Sequence, residues 1–156
     1  MQGRAAAVVL AAVAVASPAP ANAADFRVTA EAATVLYDAP SARAKPQFVY
    51  GRDVPVEVLV GVEGWTKVRD VSGTIGWMAA RTLVDRRVLQ VRVPVADIRV
   101  NADDAAPVAF RAAENVLLEL AEPAGSVATT AFPGWVKVRH RDGAVGFVRI
   151  AQVFGL

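Results

Sequence analysis

The sequence has 156 residues, with 17 Lys and Arg against 15 Asp and Glu, a single His and no Cys. A formal charge of +2 gives no reason to invoke nucleic acid as a partner. Without Cys neither a disulfide scaffold nor a thiol nucleophile is available, so an apolar core has to stabilise the fold unaided.

Residues 1–24 read as a cleaved signal peptide. Arg4 supplies the positive start, Ala5–Ala16 is an unbroken apolar run, and Ser17-Pro18 breaks it. Ala21-Asn22-Ala23 then places small residues on either side of a cleavage site. The run falls short of the roughly 20 residues of a membrane helix, and no Cys is present to carry a lipid. The remaining chain is expected to be periplasmic or secreted, with no membrane span after cleavage.

From Asp25 onward short strands follow one another. Phe26–Ala30 and Thr34–Tyr37 come first, then an Ala/Pro/Ser-rich loop from Asp38 to Gln47. Phe48-Val49-Tyr50 and the alternating Val54-Pro55-Val56-Glu57-Val58 come next. Pro55 has no N–H to give to a ladder, so it belongs on an edge or at a strand start. Gly64-Trp65-Thr66-Lys67-Val68-Arg69 then opens a hairpin that returns through Gly73-Thr74-Ile75-Gly76-Trp77-Met78. Alternation puts Trp65, Lys67 and Arg69 on one face and Val68 on the other. A glycine inside the return strand marks a bend or a close backbone approach. Ala79–Arg81 suits one helical turn before Leu83-Val84.

The second half repeats the first. Gly134-Trp135-Val136-Lys137-Val138-Arg139 and Gly143-Ala144-Val145-Gly146-Phe147-Val148 match the hairpin without a gap, seventy residues on. Val88–Val93 alternates as a strand, Asp97-Ile98-Arg99-Val100 matches Thr34-Val35-Leu36-Tyr37, and Asn101–Val108 matches the long loop. Ala109–Leu120 is ambiguous between helix and strand, and Val116–Leu120 is read as a strand because it falls where Val54–Val58 falls. The offset between copies grows from 62 to 70, so Ala121–Pro133 is eight residues longer than its counterpart. It is bounded by Glu122-Pro123 and Phe132-Pro133. The expected fold class is all-β, with one unit over residues 25–85 and a second over 86–156.

Catalytic chemistry finds little to stand on. His140 lies near a hairpin tip, and after residue 24 the only serines are Ser41, Ser72 and Ser126, all in expected loops. No Gly-x-Ser-x-Gly or phosphate-binding glycine loop occurs. Asp103-Asp104 reads as a loop acid pair rather than a calcium site. No enzyme activity, metal or cofactor is expected.

The order of strand, long loop, strand, Gly-Trp-x-Lys-Val-Arg hairpin, Gly-x-x-Gly-aromatic and short turn resembles the bacterial SH3 domain, in two tandem copies. That resemblance implies two SH3-like small β-barrels. It also implies a groove lined by Trp65 and Trp135, by Tyr37 of the Val35-Leu36-Tyr37-Asp38 stretch, and by Trp77 and Phe147. Two positions depart from proline-binding SH3 domains: the groove proline and final groove tyrosine are Ala79 and Thr82. Polyproline is therefore not the expected ligand. Only three residues are Lys, yet Lys67 and Lys137 stand at equivalent places beside a Trp, followed by Arg69 and Arg139. Aromatic plates flanked by cations suit a sugar-peptide polymer, the rings stacking on apolar faces and the cations meeting carboxylates. The expected partner is cell-wall peptidoglycan or its peptide stems. The alternative is a protein or peptide of the envelope, held by the long second loop or by exposed strand edges.

Overall fold

The computed structural model describes residues 24–121 and 132–156. The expected signal segment, apart from Ala24, and residues 122–131 of the expected long loop lie outside the described residues. Fourteen strands form two seven-stranded antiparallel sheets, and the described residues contain no α-helix. The first sheet is built from β1 (Asp25–Thr29), β2 (Thr34–Tyr37), β3 (Pro46–Tyr50), β4 (Pro55–Val62), β5 (Trp65–Arg69), β6 (Ile75–Ala79) and β7 (Leu83–Val84). The second holds β8 (Val88–Val91), β9 (Val95–Arg99), β10 (Val108–Ala113), β11 (Leu117–Leu120), β12 (Trp135–Arg139), β13 (Val145–Arg149) and β14 (Val153–Phe154).

The strand orders are β3-β2-β6-β5-β4-β1-β7 and β10-β9-β13-β12-β11-β8-β14, which is one order repeated. No pairing joins the outer strands of either order, so each sheet is open in its hydrogen bonding. Ala109–Leu120 resolves into β10 and β11 rather than a helix, because Ala112 and Leu118 are both needed in the second core. Pro55 opens β4, where its missing N–H costs no ladder bond. A single 3-10 turn follows each hairpin, at Ala80–Thr82 and Ile150–Gln152.

Alternation along the strands fills two cores. Leu36, Val56, Val68 and Met78 form the first, with Tyr50 and Leu83 packed against it. Ile98, Leu118, Val138 and Val148 take the same places in the second, joined by Leu89, Val91, Ala96, Val136 and Val153. Each fully buried aliphatic chain contributes roughly 1.5–3 kcal/mol of transfer free energy. Expected alternation fails at β8, where Val88, Leu89, Gln90 and Val91 are all buried. Strands β11 and β14 flank it, and β4 of the first sheet approaches it as well.

Specific contacts join the two halves among the described residues. The rings of Phe26 and Phe154 meet edge to face at 5.1 Å, and Arg86 bridges to Asp53 at 2.9 Å. Gly155 runs beside β8 so closely that a Cβ there would lie 2.6 Å from the Val88 carbonyl oxygen and 3.1 Å from Pro55.

Each sheet passes a neighbouring strand closely over its hairpin glycine. A Cβ on Gly76 would sit 2.6 Å from Leu36 Cγ and 2.8 Å from the Tyr37 carbonyl oxygen. On Gly146 it would sit 2.5 Å from Ile98 and 2.7 Å from the Arg99 carbonyl oxygen. Gly76→Ala and Gly146→Ala are therefore each expected to destabilise by roughly 1–3 kcal/mol through overpacking. That corresponds to a fall of about 5 °C or more in melting temperature for a unit of this size. Gly51→Ala, whose added methyl meets nothing within 4 Å, should melt close to the wild type.

The first hairpin tip is tied by one carboxylate. Asp70 accepts hydrogen bonds from Ser72 N and Thr74 N at 2.9 Å, and from Ser72 Oγ and Tyr50 OH at 2.7 Å. Burial favours its neutral form, but the bonds from Ser72, Tyr50 and Thr74 outweigh this and hold the carboxyl below its usual range. Burial and the Asp70 bond push the Tyr50 hydroxyl up. A carboxyl depressed by folding contributes stability above its unfolded pKa, near 3.9, and loses it as pH falls through the folded value. Melting temperature should thus drop on acidification below about pH 4, and Asp70→Asn should flatten that part of the profile.

Candidate functional site

The hairpin strand β5 presents Trp65, Lys67 and Arg69 on the face away from Val68, and cross-strand register decides what each meets. Trp65 stands opposite Ala79, Lys67 opposite Trp77, and Arg69 opposite Ile75 on β6 and Glu57 on β4. Tyr37 on β2 stands opposite Trp77 from the other side. Because Ala79 has so little side chain, Tyr37 reaches across to Trp65, and the two rings meet edge to face at 5.5 Å and 89°.

That pair walls a groove of about 360 Å³. Glu31 and Ala42 border it from the loops, and Ala79, Arg81 and Thr82 line it as well. Arg81 reaches Glu31 at 3.6 Å with both side chains largely exposed, a contact worth at most about 1 kcal/mol. The remaining expected site residues stand beside the groove rather than in it. Lys67 Nζ lies 5.8 Å above the Trp77 ring, and Arg69 is bound to Glu57 at 2.8 Å.

In the second sheet the same framework carries different side chains. Trp135 stands opposite Arg149, and Lys137 opposite Phe147, with Lys137 Nζ 5.9 Å from that ring. Phe132 covers Phe147 edge to face at 5.1 Å. Arg139 is exposed and lies opposite Glu119. The residue opposite Phe147 on β9 is Arg99, so the counterpart of Tyr37 is Arg99 and not Val100. The expected match of Asp97–Val100 with Thr34–Tyr37 is one residue out of register. Core packing settles the reason: Ile98, not Arg99, takes the buried place of Leu36.

Arg149 changes the second groove most. Its guanidinium carbon lies 4.3 Å from the Trp135 ring centre, and its Nε and Nη2 donate to the two carboxylate oxygens of Asp104. Trp135 is only 5% exposed as a result, whereas Trp65 is partly open. A cavity of about 320 Å³ remains, bordered by Asp97, Arg99, Asp104, Trp135 and Arg149. Arg99 donates to the Ala106 carbonyl oxygen at 2.7 Å, and Asp97 pairs with Arg111 at 2.9 Å. Sequence reading missed Glu31, Arg81, Asp104 and Arg149. Aligning the copies at offsets 62 and 70 sets Ala42 against Asp104 and Ala79 against Arg149, which is the signal that held two of them.

Among the described residues no group of three or more metal-ligating side chains occurs, and no helix is long and apolar enough to cross a membrane. His140 pairs with Asp142 at 3.0 Å, and the Ser72 hydroxyl is engaged at the hairpin tip.

No curated protein matches the chain. Among solved structures it is similar to NlpC2 and NlpC1 from Trichomonas vaginalis, each at 14% identity and a TM-score of 0.35. It covers 46% and 47% of those chains, which in turn cover 83% and 87% of it. An NlpC/P60 family protein from Bacillus cereus ATCC 10987 is similar at 14% identity and a TM-score of 0.37, with 83% of this chain and 56% of that one covered. The chain thus spans about half the length of these structures. A family match falls on residues 30–85, the stretch from just before β2 to just after β7 that holds the open groove. Those residues of the chain are a bacterial SH3 domain.

Proposed function

We propose that the chain is an exported, non-catalytic binding protein whose first unit recognises cell-wall peptidoglycan or its peptide stems. One observation carries the reading. Tyr37 and Trp65 wall an open groove in the unit that matches the bacterial SH3 family, and such domains resemble cell-wall targeting modules of larger enzymes. An edge-to-face aromatic pair offers one ring face to an apolar sugar or peptide surface. Glu31 and Arg81 at the rim offer one charge of each sign to a peptide.

The repeated strand order supports a second SH3-like unit, so that residues 25–85 and 86–156 make two small tandem barrels after a signal peptide at 1–24. Location in the periplasm or outside the cell follows from that signal. Lys67, Arg69 and Trp77, with Lys137, Arg139 and Phe147, flank the grooves and extend the contact face.

Retention on purified cell-wall sacculi tests the reading. Trp65→Ala should lower retention several-fold while the melting curve stays close to wild type, because the ring is partly open. Retention by Trp65→Ala equal to that of wild type would sink the wall-binding groove. Trp135→Ala removes a buried ring and should cost stability, roughly 3–5 kcal/mol, before it affects retention per folded molecule.

A second reading, an envelope adaptor that holds a protein partner, draws on one feature. Strand β3 forms a sheet edge with Phe48 54% and Val49 66% exposed, and exposed apolar edges are templates for strand addition. Phe48→Lys should then abolish capture of that partner and spare sacculus retention. The reverse pattern would remove the adaptor.

A further inference from the structure

The two grooves stand on one backbone framework, and two of the positions at which their linings differ face each other. In the first unit both are alanine, Ala42 and Ala79, and both border the groove. In the second they are Asp104 and Arg149, which bind one another across Trp135. The change is paired. An Arg alone over the ring would leave its charge held only by the π face, and an Asp alone would leave an unpaired acid at the rim. Together they form a bidentate link whose cation lies flat on the indole.

We propose that Arg149 is the second groove's own built-in occupant. The place it fills above Trp135 is, in the first unit, where a ligand from outside lays an ammonium or guanidinium group on Trp65. The alanine pair leaves that place vacant in the first groove, and Glu31 at its border, held by the exposed Arg81 at 3.6 Å, supplies the negative charge that Asp104 supplies in the second. The indole face attracts a cation through its quadrupole, and the edge-to-face contact with Tyr37 at 5.5 Å fixes the ring's orientation. Only the first groove is therefore open to a basic side chain or free amino group of a peptide. This inference rests on the groove reading proposed above and narrows its ligand class.

The three tryptophans give three indole N–H signals in a two-dimensional NMR spectrum, assigned by single Trp→Phe variants. The probe is N-acetyl-lysine methylamide, with N-acetyl-norleucine methylamide as the same chain lacking the ammonium. In the wild type the lysine probe should shift the Trp65 signal saturably and leave Trp135 unmoved. The norleucine probe should bind about two- to fivefold more weakly, as expected for an exposed cation–π contact. In Asp104→Ala/Arg149→Ala, which recreates the alanine pair, Trp135 should become quenchable by acrylamide and respond to the lysine probe. Its response should be weaker than that of Trp65, because Arg99 stands in place of Tyr37 and the Asp104 carboxylate is gone. Arg149→Met keeps the packing stem without the charge, so it serves where the double variant fails to fold.

Equal responses to the two probes at Trp65 would overturn the cationic ligand class. Trp135 remaining unresponsive in a variant that melts cooperatively would overturn the built-in occupant. Sacculus retention separates this from the wall-binding reading. Retention that depends on Trp65 without a lysine-probe response defeats only the cation, whereas a lysine-probe response without retention defeats only the wall.

Discussion

The crossing of β2 over the hairpin glycine is the contact on which the rest of each unit depends. A carbonyl oxygen of β2 lies where a side chain on Gly76 would be, and β9 treats Gly146 in the same way. This approach seats Leu36 and Ile98 in their cores. It also turns the next residue of β2 or β9 outward, opposite Trp77 or Phe147. The groove wall is therefore a by-product of core closure: the carbonyl that excludes a Cβ belongs to the residue whose side chain lines the groove.

Given that shared frame, the chemistry of the two faces diverges through side chains alone. One face keeps a Tyr–Trp pair above alanine, and the other exchanges both neighbours for an ion pair and buries its Trp. An exposed ion pair and an exposed cation–π contact are each worth at most about 1 kcal/mol. Arg149 therefore covers Trp135 without being essential to the second core, which is the larger of the two. Meanwhile Lys67 over Trp77 and Lys137 over Phe147 keep nearly the same separation, so this flank did not diverge with the groove.

Much of the fold was legible because its determinants are local and repeated. Gly64 and Gly134 take positive φ at equivalent turns, strand alternation placed Val68 and Val138 inside, and the repeat supplied the strand reading of Val116–Leu120. What escaped was register on β9. There Asp97, Arg99 and Val100 surround a single Ile, and alternation alone does not say which neighbour faces the groove. Asp104 and Arg149 escaped for another reason. Their meaning is in their pairing, 45 residues apart, and neither carries a motif. Asp103-Asp104 reads as a loop pair until the partner arginine is seen.

The stretch after β13 returns to the first sheet. Phe154 packs on Phe26, Gly155 is wedged between Val88 and Pro55, and Arg86 reaches back to Asp53. A chain emerging N-terminus first completes β2 through β7 long before residue 154 exists, so the Phe26 ring waits for its partner until the whole second sheet has emerged. Closing so long a loop adds little entropy beyond a shorter one. The order of events is the larger effect, since it makes Phe154 and Gly155 the clasp that joins the two sheets.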